Sequence, residues 1–183
     1  MSLIIGITGK KVAGKGTVSD YLIKNFSAKH YRFSKILEDI ADRLYLPKTR
    51  ENEIDIALSL REKFGNEIFA HVLKKDIEKS SDEISIIDGI RYWEEYNILS
   101  NLENFYLIAI SAPLESRYER ALQRGEKEDE KSMSFTDFKK QELAPTEITI
   151  EELCKKADFK IANDTSFENL YTAIQKIMQK LKK

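Results

Sequence analysis

The sequence predicts an α/β fold, a parallel sheet of five strands with helices on both faces. Three observations predict it. Residues 3–8, 84–88 and 105–111 are near-continuous apolar runs, the pattern of strands buried on both sides. Between such runs, apolar residues recur at helical spacing. The first run leads through a glycine-rich loop and a lysine into the first helical pattern. Strand–helix alternation of this kind implies right-handed crossovers and a parallel sheet.

The elements follow in order. Leu3–Thr8 is strand one, and residues 15–26 form a helix with Val18, Tyr21, Leu22 and Phe26 at helical spacing. Tyr31–Ser34 is read as a short second strand. Ile36, Leu37, Ile40, Ala41 and Leu44 then mark a helix that Pro47 breaks. Two further helical segments cover roughly 51–64 and 66–79. Ile84–Asp88 is the third strand and Phe105–Ser111 the fourth. Pro113 suits the first turn of a helix running to about Arg124. Residues 125–134, GEKEDEKSMS, carry charge without apolar rhythm and are read as a lid. The stretch Lys155–Asp158 is read as a loop into a fifth strand, Phe159–Ala162. Thr165-x-x-Glu168 has the form of a capping box, and Leu170, Ala173, Ile174, Ile177, Met178 and Leu181 give the last helix one apolar face.

Bulk properties restrict the function. A chain of 183 residues suits one domain, 1–183, with a sizeable core. A net charge of -1 offers no electrostatic case for nucleic acid or an anionic membrane as partner. The single cysteine, Cys154, excludes an intrachain disulfide framework and fits a reducing cytoplasm. No run approaches the ~20 apolar residues of a membrane span, and the N-terminus does not read as a signal peptide.

Ligands of open parallel sheets bind at the carboxyl ends of the strands, so the chemistry is sought there. Gly9, Gly14 and Lys15 match the phosphate-loop pattern G-x-x-x-x-G-K. The glycines let the backbone approach an anion, and the amides of the loop and helix terminus point at phosphate oxygens. Asp88, at the end of a buried strand, stands where a Walker B aspartate holds Mg²⁺ directly or through water. Gly89 follows it, so the glutamate that activates water in a mechanical ATPase is missing. GTPase motifs are also missing: no D-x-x-G follows a strand, and Lys155-Lys156-Ala157-Asp158 only approaches the guanine motif.

Arginines number eight against 22 lysines, which makes their placement informative. Arg117, Arg120 and Arg124 lie on one helix face entering the charged segment, either solvated beside Glu115 and Glu119 or closing on phosphate. Arg61 falls within an apolar face of Ile54, Ala57, Leu58, Leu60 and Phe64, so it needs a partner or a ligand. Arg91 follows Asp88 by three residues and projects from the strand end. Tyr45, Tyr92 and Trp93 can stack on a base or pack in the core. His30 and His71 show no metal or triad spacing.

These motifs together resemble the nucleoside monophosphate kinase-type P-loop proteins. Gly9-Lys-Lys-Val-Ala-Gly14-Lys15-Gly16-Thr17 is similar to the adenylate-kinase loop ending GKGT, and Asp88-Gly89-Ile90-Arg91 to that group's D-G-F-P-R with one residue fewer. Phe33-Ser34-Lys35, Leu60-Arg61-Glu62-Lys63-Phe64-Gly65 and Asp88-Gly-Ile-Arg-Tyr-Trp-Glu-Glu95 resemble deoxynucleoside monophosphate kinases. Ile161-Ala-Asn-Asp-Thr-Ser-Phe-Glu168 resembles the adenine-side loop. The resemblance implies a P-loop kinase of three αβα layers, with an acceptor-binding region at about 34–80 and a lid at about 117–143. It implies ATP and Mg²⁺ as cofactors and a small-molecule nucleotide as acceptor. ATP then meets Gly9, Val12, Ala13, Gly14, Lys15, Gly16, Thr17, Val18, Arg120, Asn163 and Asp164. Lys15, Asp88, Arg120 and Arg124 take the catalytic roles; Ser34, Lys35, Arg61 and Arg91 hold the acceptor. Lys11 and Val12 depart from the adenylate-kinase proline and glycine, and Gly16 replaces the metal-binding Ser or Thr of many P-loops. Thr17 is accordingly given to the α-phosphate before the metal. The alternatives are a dephospho-coenzyme A kinase and a nucleotide-binding regulator that has lost catalysis.

Overall fold

The computed structural model describes residues 2–124 and 133–182. The strands are β1 (Leu3–Thr8), β2 (Lys29–Arg32), β3 (Ile84–Asp88), β4 (Phe105–Ser111) and β5 (Phe159–Ala162). The helices are α1 (Lys15–Phe26), α2 (Phe33–Arg43), α3 (Arg50–Phe64), α4 (Ile68–Lys79), α5 (Trp93–Leu99), α6 (Leu114–Arg124), α7 (Phe135–Gln141), α8 (Pro145–Lys156) and α9 (Phe167–Leu181). The sheet order is β2-β3-β1-β4-β5, and every pairing is parallel. Both edge strands have only four residues.

Strand β1 shows why the apolar runs are continuous. Leu3, Ile5 and Ile7 point to one face, where α1 and α9 supply Val18, Leu22, Leu170, Ile174 and Met178. Ile4 points to the other, among Leu73 and Ile77 of α4, Leu99 of α5 and Leu153 of α8. The period of two along a strand thus feeds two cores at once. Each fully buried isoleucine or leucine contributes about 1.5–3 kcal/mol.

The expected strands one, three, four and five and the first helix have the predicted bounds. The second strand lies two residues earlier than expected, because Phe33 and Ser34 already open α2. Three helices were not foreseen: α5, α7 and α8. Lys155 and Lys156, expected in a loop, form the last turn of α8. The last helix is capped one residue later than the Thr165–Glu168 box implies: the Ser166 hydroxyl accepts from the Asn169 amide. Residues 125–132 of the expected lid lie outside the described residues. Of that segment Ser134 is described, and it caps α7 by accepting from the Asp137 amide at 3.1 Å.

Crossover α8 leads back into β5, so its N-terminus lies at the carboxyl edge of the sheet. The loop after β1, the ends of β3 and β4, and the start of α8 therefore converge.

Candidate active site

The loop between β1 and α1 holds its shape through two glycines. Gly9 (φ +147°) and Gly14 (φ +106°) occupy backbone regions that suit glycine. A Cβ on Gly9 would meet the Ile110 carbonyl, and one on Gly14 the Asn163 amide. That amide is itself a clamp. Asn163 Nδ2 donates to the Ala13 carbonyl at 2.9 Å, and Asn163 N donates to Ser111 O at 2.7 Å. Asn163 thus ties the end of β4 to the phosphate loop rather than standing open to a ligand, and Asp164 beside it is exposed. Val12 adopts φ +60°, the left-handed conformation that a glycine would take without strain. Gly16 is exposed and has open space around its Cβ position. Thr17 is half-buried and Val18 fully buried in the core.

Lys15 folds back over the loop. Its Nζ donates to Gly9 O at 2.7 Å and Lys10 O at 3.0 Å. Burial lowers this ammonium to about 8; Arg91 pushes the same way, while Asp88, Glu147 and Cys154 pull against it. Lysine and strand-end aspartate therefore share one electrostatic site. Asp88 is mostly buried, and its Oδ2 lies 3.4 Å from His30 Nε2. Among the described residues, no three His, Cys, Asp or Glu side chains cluster to hold a metal. A lone carboxylate fits Mg²⁺ well, since that ion keeps several waters and takes one or two carboxylates plus phosphate oxygens.

Beyond Asp88 lie two arginines joined by one carboxylate. Glu95, buried on α5, accepts from Arg61 Nη2 at 2.8 Å and from the Arg91 backbone amide at 2.9 Å. Burial pushes the Glu95 carboxyl up, against the pull of the Arg91 amide and the Arg61 charge. Arg61 also stacks over Tyr92, 4.5 Å from the ring centroid. Its partner is thus an internal salt bridge, yet its Nε is buried without a hydrogen bond among the described residues. The apolar face assigned to Arg61 needs correction: Ile54, Leu58 and Phe64 are exposed. Arg61 turns inward because Glu95 draws it there. The Arg91 side chain is exposed.

Ser34 is half-buried, and Lys35 is exposed and paired with Asp39 at 2.7 Å. Lys35 lines a groove of about 650 Å³ along the outer edge of β2, between α2 and α4. His30 lines the same groove and lies 3.4 Å from Asp88, whereas no described contact joins the Lys35 side chain to Arg61, Arg91 or Asp88. Trp93 is committed to the fold, its indole donating to Glu152 at 2.7 Å. Tyr45 is 89% exposed.

On the other side of the loop, the three arginines of α6 separate in role. Arg117 is buried and paired through both nitrogens with Glu142 at 2.8 Å, and it donates to Lys11 O at 3.3 Å. It braces the loop and faces neither solvent nor Glu115 and Glu119. Arg120 Nη2 donates to Asn163 O at 2.8 Å, and its Nη1 is buried without a partner among the described residues. Arg124 is exposed at the end of α6.

Four residues of this neighbourhood have no role in the sequence reading. Glu95 is three residues beyond Tyr92, a capping position that could have marked it. Glu142 bridges Lys10 and Arg117. Glu147 is buried, and its Oε2 has no hydrogen bond among the described residues. His30 reaches Asp88 only through strand pairing. No local pattern announces the last three.

A phosphate loop, a strand-end aspartate and a parallel 2-3-1-4-5 sheet define a P-loop nucleotide-binding protein with a kinase-like fold. A family model described as an AAA domain matches residues 5–144. A UPF0200 protein of Methanocaldococcus jannaschii is 33% identical over 182 residues, covering 98% of this chain and 90% of the relative. The chain belongs to the UPF0200 family and carries that AAA domain. Its fold is similar to the crystal structure of TT1252 from Thermus thermophilus, with TM-score 0.67 and 19% identity over 98% of each chain. It is also similar to shikimate kinase from Acinetobacter baumannii, solved with shikimate: TM-score 0.57 and 14% identity over 99% of this chain and 93% of that one. Among the described residues, no helix is long and apolar enough to cross a membrane.

Proposed function

We propose that this chain moves the γ-phosphoryl of ATP to the phosphate of a (deoxy)nucleoside monophosphate. The observation that carries this reading is buried Glu95 beside the end of β3, which holds the Arg61 guanidinium and the backbone amide of Arg91. Two guanidinium groups there suit an anionic acceptor, since their planar forks match phosphate oxygens.

The loop amides hold the donor phosphates. Lys15 leaves its carbonyl partners, Gly9 O and Lys10 O, and turns to the outer phosphates. Arg120, with an unused buried nitrogen, adds positive charge on the donor side. An acceptor phosphate oxygen attacks Pγ, the bond from Pγ to the β-bridging oxygen breaks, and ADP departs. The acceptor is already anionic, so no side chain has to remove a proton. Positioning and charge neutralisation supply the catalysis, because the transition state spreads charge over phosphoryl oxygens. Mg²⁺, when bound, offsets phosphate charge, and Asp88 is the residue that would hold it through its waters.

The test is ADP release measured across a panel of nucleoside monophosphates and dephospho-coenzyme A. Release with one nucleoside monophosphate is expected. Release only with dephospho-coenzyme A would replace the acceptor, and ATP binding without any release would make the chain a regulator. Arg91→Ala is expected to raise the acceptor KM; an unchanged KM removes Arg91 from the site.

A further inference from the structure

We infer that His30 is a positioning residue for Asp88, an inference that rests on the kinase reading for its metal. Parallel pairing sets His30 opposite Ile86 and Arg32 opposite Asp88. Residues 86 and 88 share one face of β3, and residue 30 shares that face of β2. The histidine therefore arrives beside the aspartate through the sheet, although the two are 58 positions apart in the chain.

Its Nε2 lies 3.4 Å from Asp88 Oδ2. That nitrogen is buried and has no aligned hydrogen bond to any described residue. A buried polar nitrogen without a partner is unfavourable, and Asp88 Oδ2 is an acceptor beside it. A small rotation of either side chain closes the hydrogen bond. With Oδ2 held by Nε2–H, the carboxylate plane is fixed and Oδ1 is left for the water shell of a metal–nucleotide complex. Carboxylates that serve metals are themselves hydrogen-bonded, and losing such a partner lowers metal affinity about 10–100-fold. Nothing else in the described structure orients Asp88 so directly: no hydrogen bond to its carboxylate is made by Lys15, Arg61 or Arg91.

The experiment is titration of Mn²⁺ into the ADP-saturated full chain, followed by electron paramagnetic resonance. His30→Asn, whose amide falls short of Oδ2, is expected to weaken Mn²⁺ about tenfold. His30→Gln, whose amide reaches as far as Nε2, restores most of that loss. ADP affinity in the presence of EDTA, and the melting temperature, report any merely structural damage and should stay near wild type in both variants. In an Asp88→Asn background the His30→Asn change should have no further effect on Mn²⁺. Unchanged Mn²⁺ affinity in His30→Asn overturns the inference, as does an equal loss in both backgrounds. Because this readout needs no phosphoryl transfer, a chain that shows the coupling but phosphorylates no nucleoside monophosphate upholds the role of His30 and overturns the acceptor reading alone.

Discussion

Val12 keeps a β-branched side chain at φ +60°. Left-handed backbone costs a non-glycine residue about 1–2 kcal/mol, while glycine's looser unfolded chain costs about 0.5–1 kcal/mol. Val12→Gly should therefore stabilise the free protein by roughly 1 kcal/mol and raise the melting temperature by about 3 °C. Val12→Ala, which keeps a Cβ, should give no such gain. Lys15 makes the second prediction at this scale. Its folded value of about 8 lies below its ordinary 10.5. The unfolded chain thus holds the proton more tightly, and the free protein gains stability as pH rises from about 8 to 10.5. Phosphate needs the ammonium, so ATP affinity should fall as pH rises through about 8. Calorimetry in two buffers of different ionisation enthalpy should show proton uptake on ATP binding above that pH; its absence would mean that Lys15 does not meet the phosphates.

At the scale of elements, α5 is short, at seven residues, but organises the arginines through Glu95. Glu95→Gln would leave the Arg61 charge buried beside a neutral amide. Removing one partner of a buried pair costs about 3 kcal/mol. Urea unfolding should show that loss, and acceptor KM should rise with it; an unchanged midpoint would mean that the pair contributes nothing net. Elements differ in how legible they are. β1, β3 and β4 stand out because burial on both faces leaves near-continuous apolar runs. α5 is too short for a period to declare itself. α8 mixes Thr146, Ile148, Thr149 and Ile150, β-branched residues that obscure a helix. The site divides in the same way. Gly9, Gly14, Lys15 and Asp88 are legible because local spacing carries their chemistry. His30, Glu142 and Glu147 are not, because their partners are distant in sequence and only the fold brings them near.

Over the whole molecule, the loop is held from the far side of the sheet. Asn163 follows β5 and bonds Ala13, 150 residues earlier in the chain. Asn163→Ala would leave the buried Ala13 carbonyl unpaired, a cost of about 1–3 kcal/mol. Since that bond shapes the loop, ATP should bind about tenfold more weakly, measured by fluorescent-nucleotide titration. Unchanged binding would mean that the loop keeps its form without the clamp. Arg117, paired with Glu142, donates to Lys11 O, so the phosphate loop near the N-terminus is gripped by residues from the C-terminal half of the chain.

The sheet's two margins have a consequence for behaviour in a crowded solution. β2 and β5 offer only four residues each to a neighbour, and Lys29, Arg32 and Lys160 stand exposed along them. A second copy laid alongside would find few free amides and carbonyls and would bring like charges together. Short, cationic borders of this kind discourage edge-to-edge growth. The strands that end the sheet thereby also limit its spread from one molecule to the next.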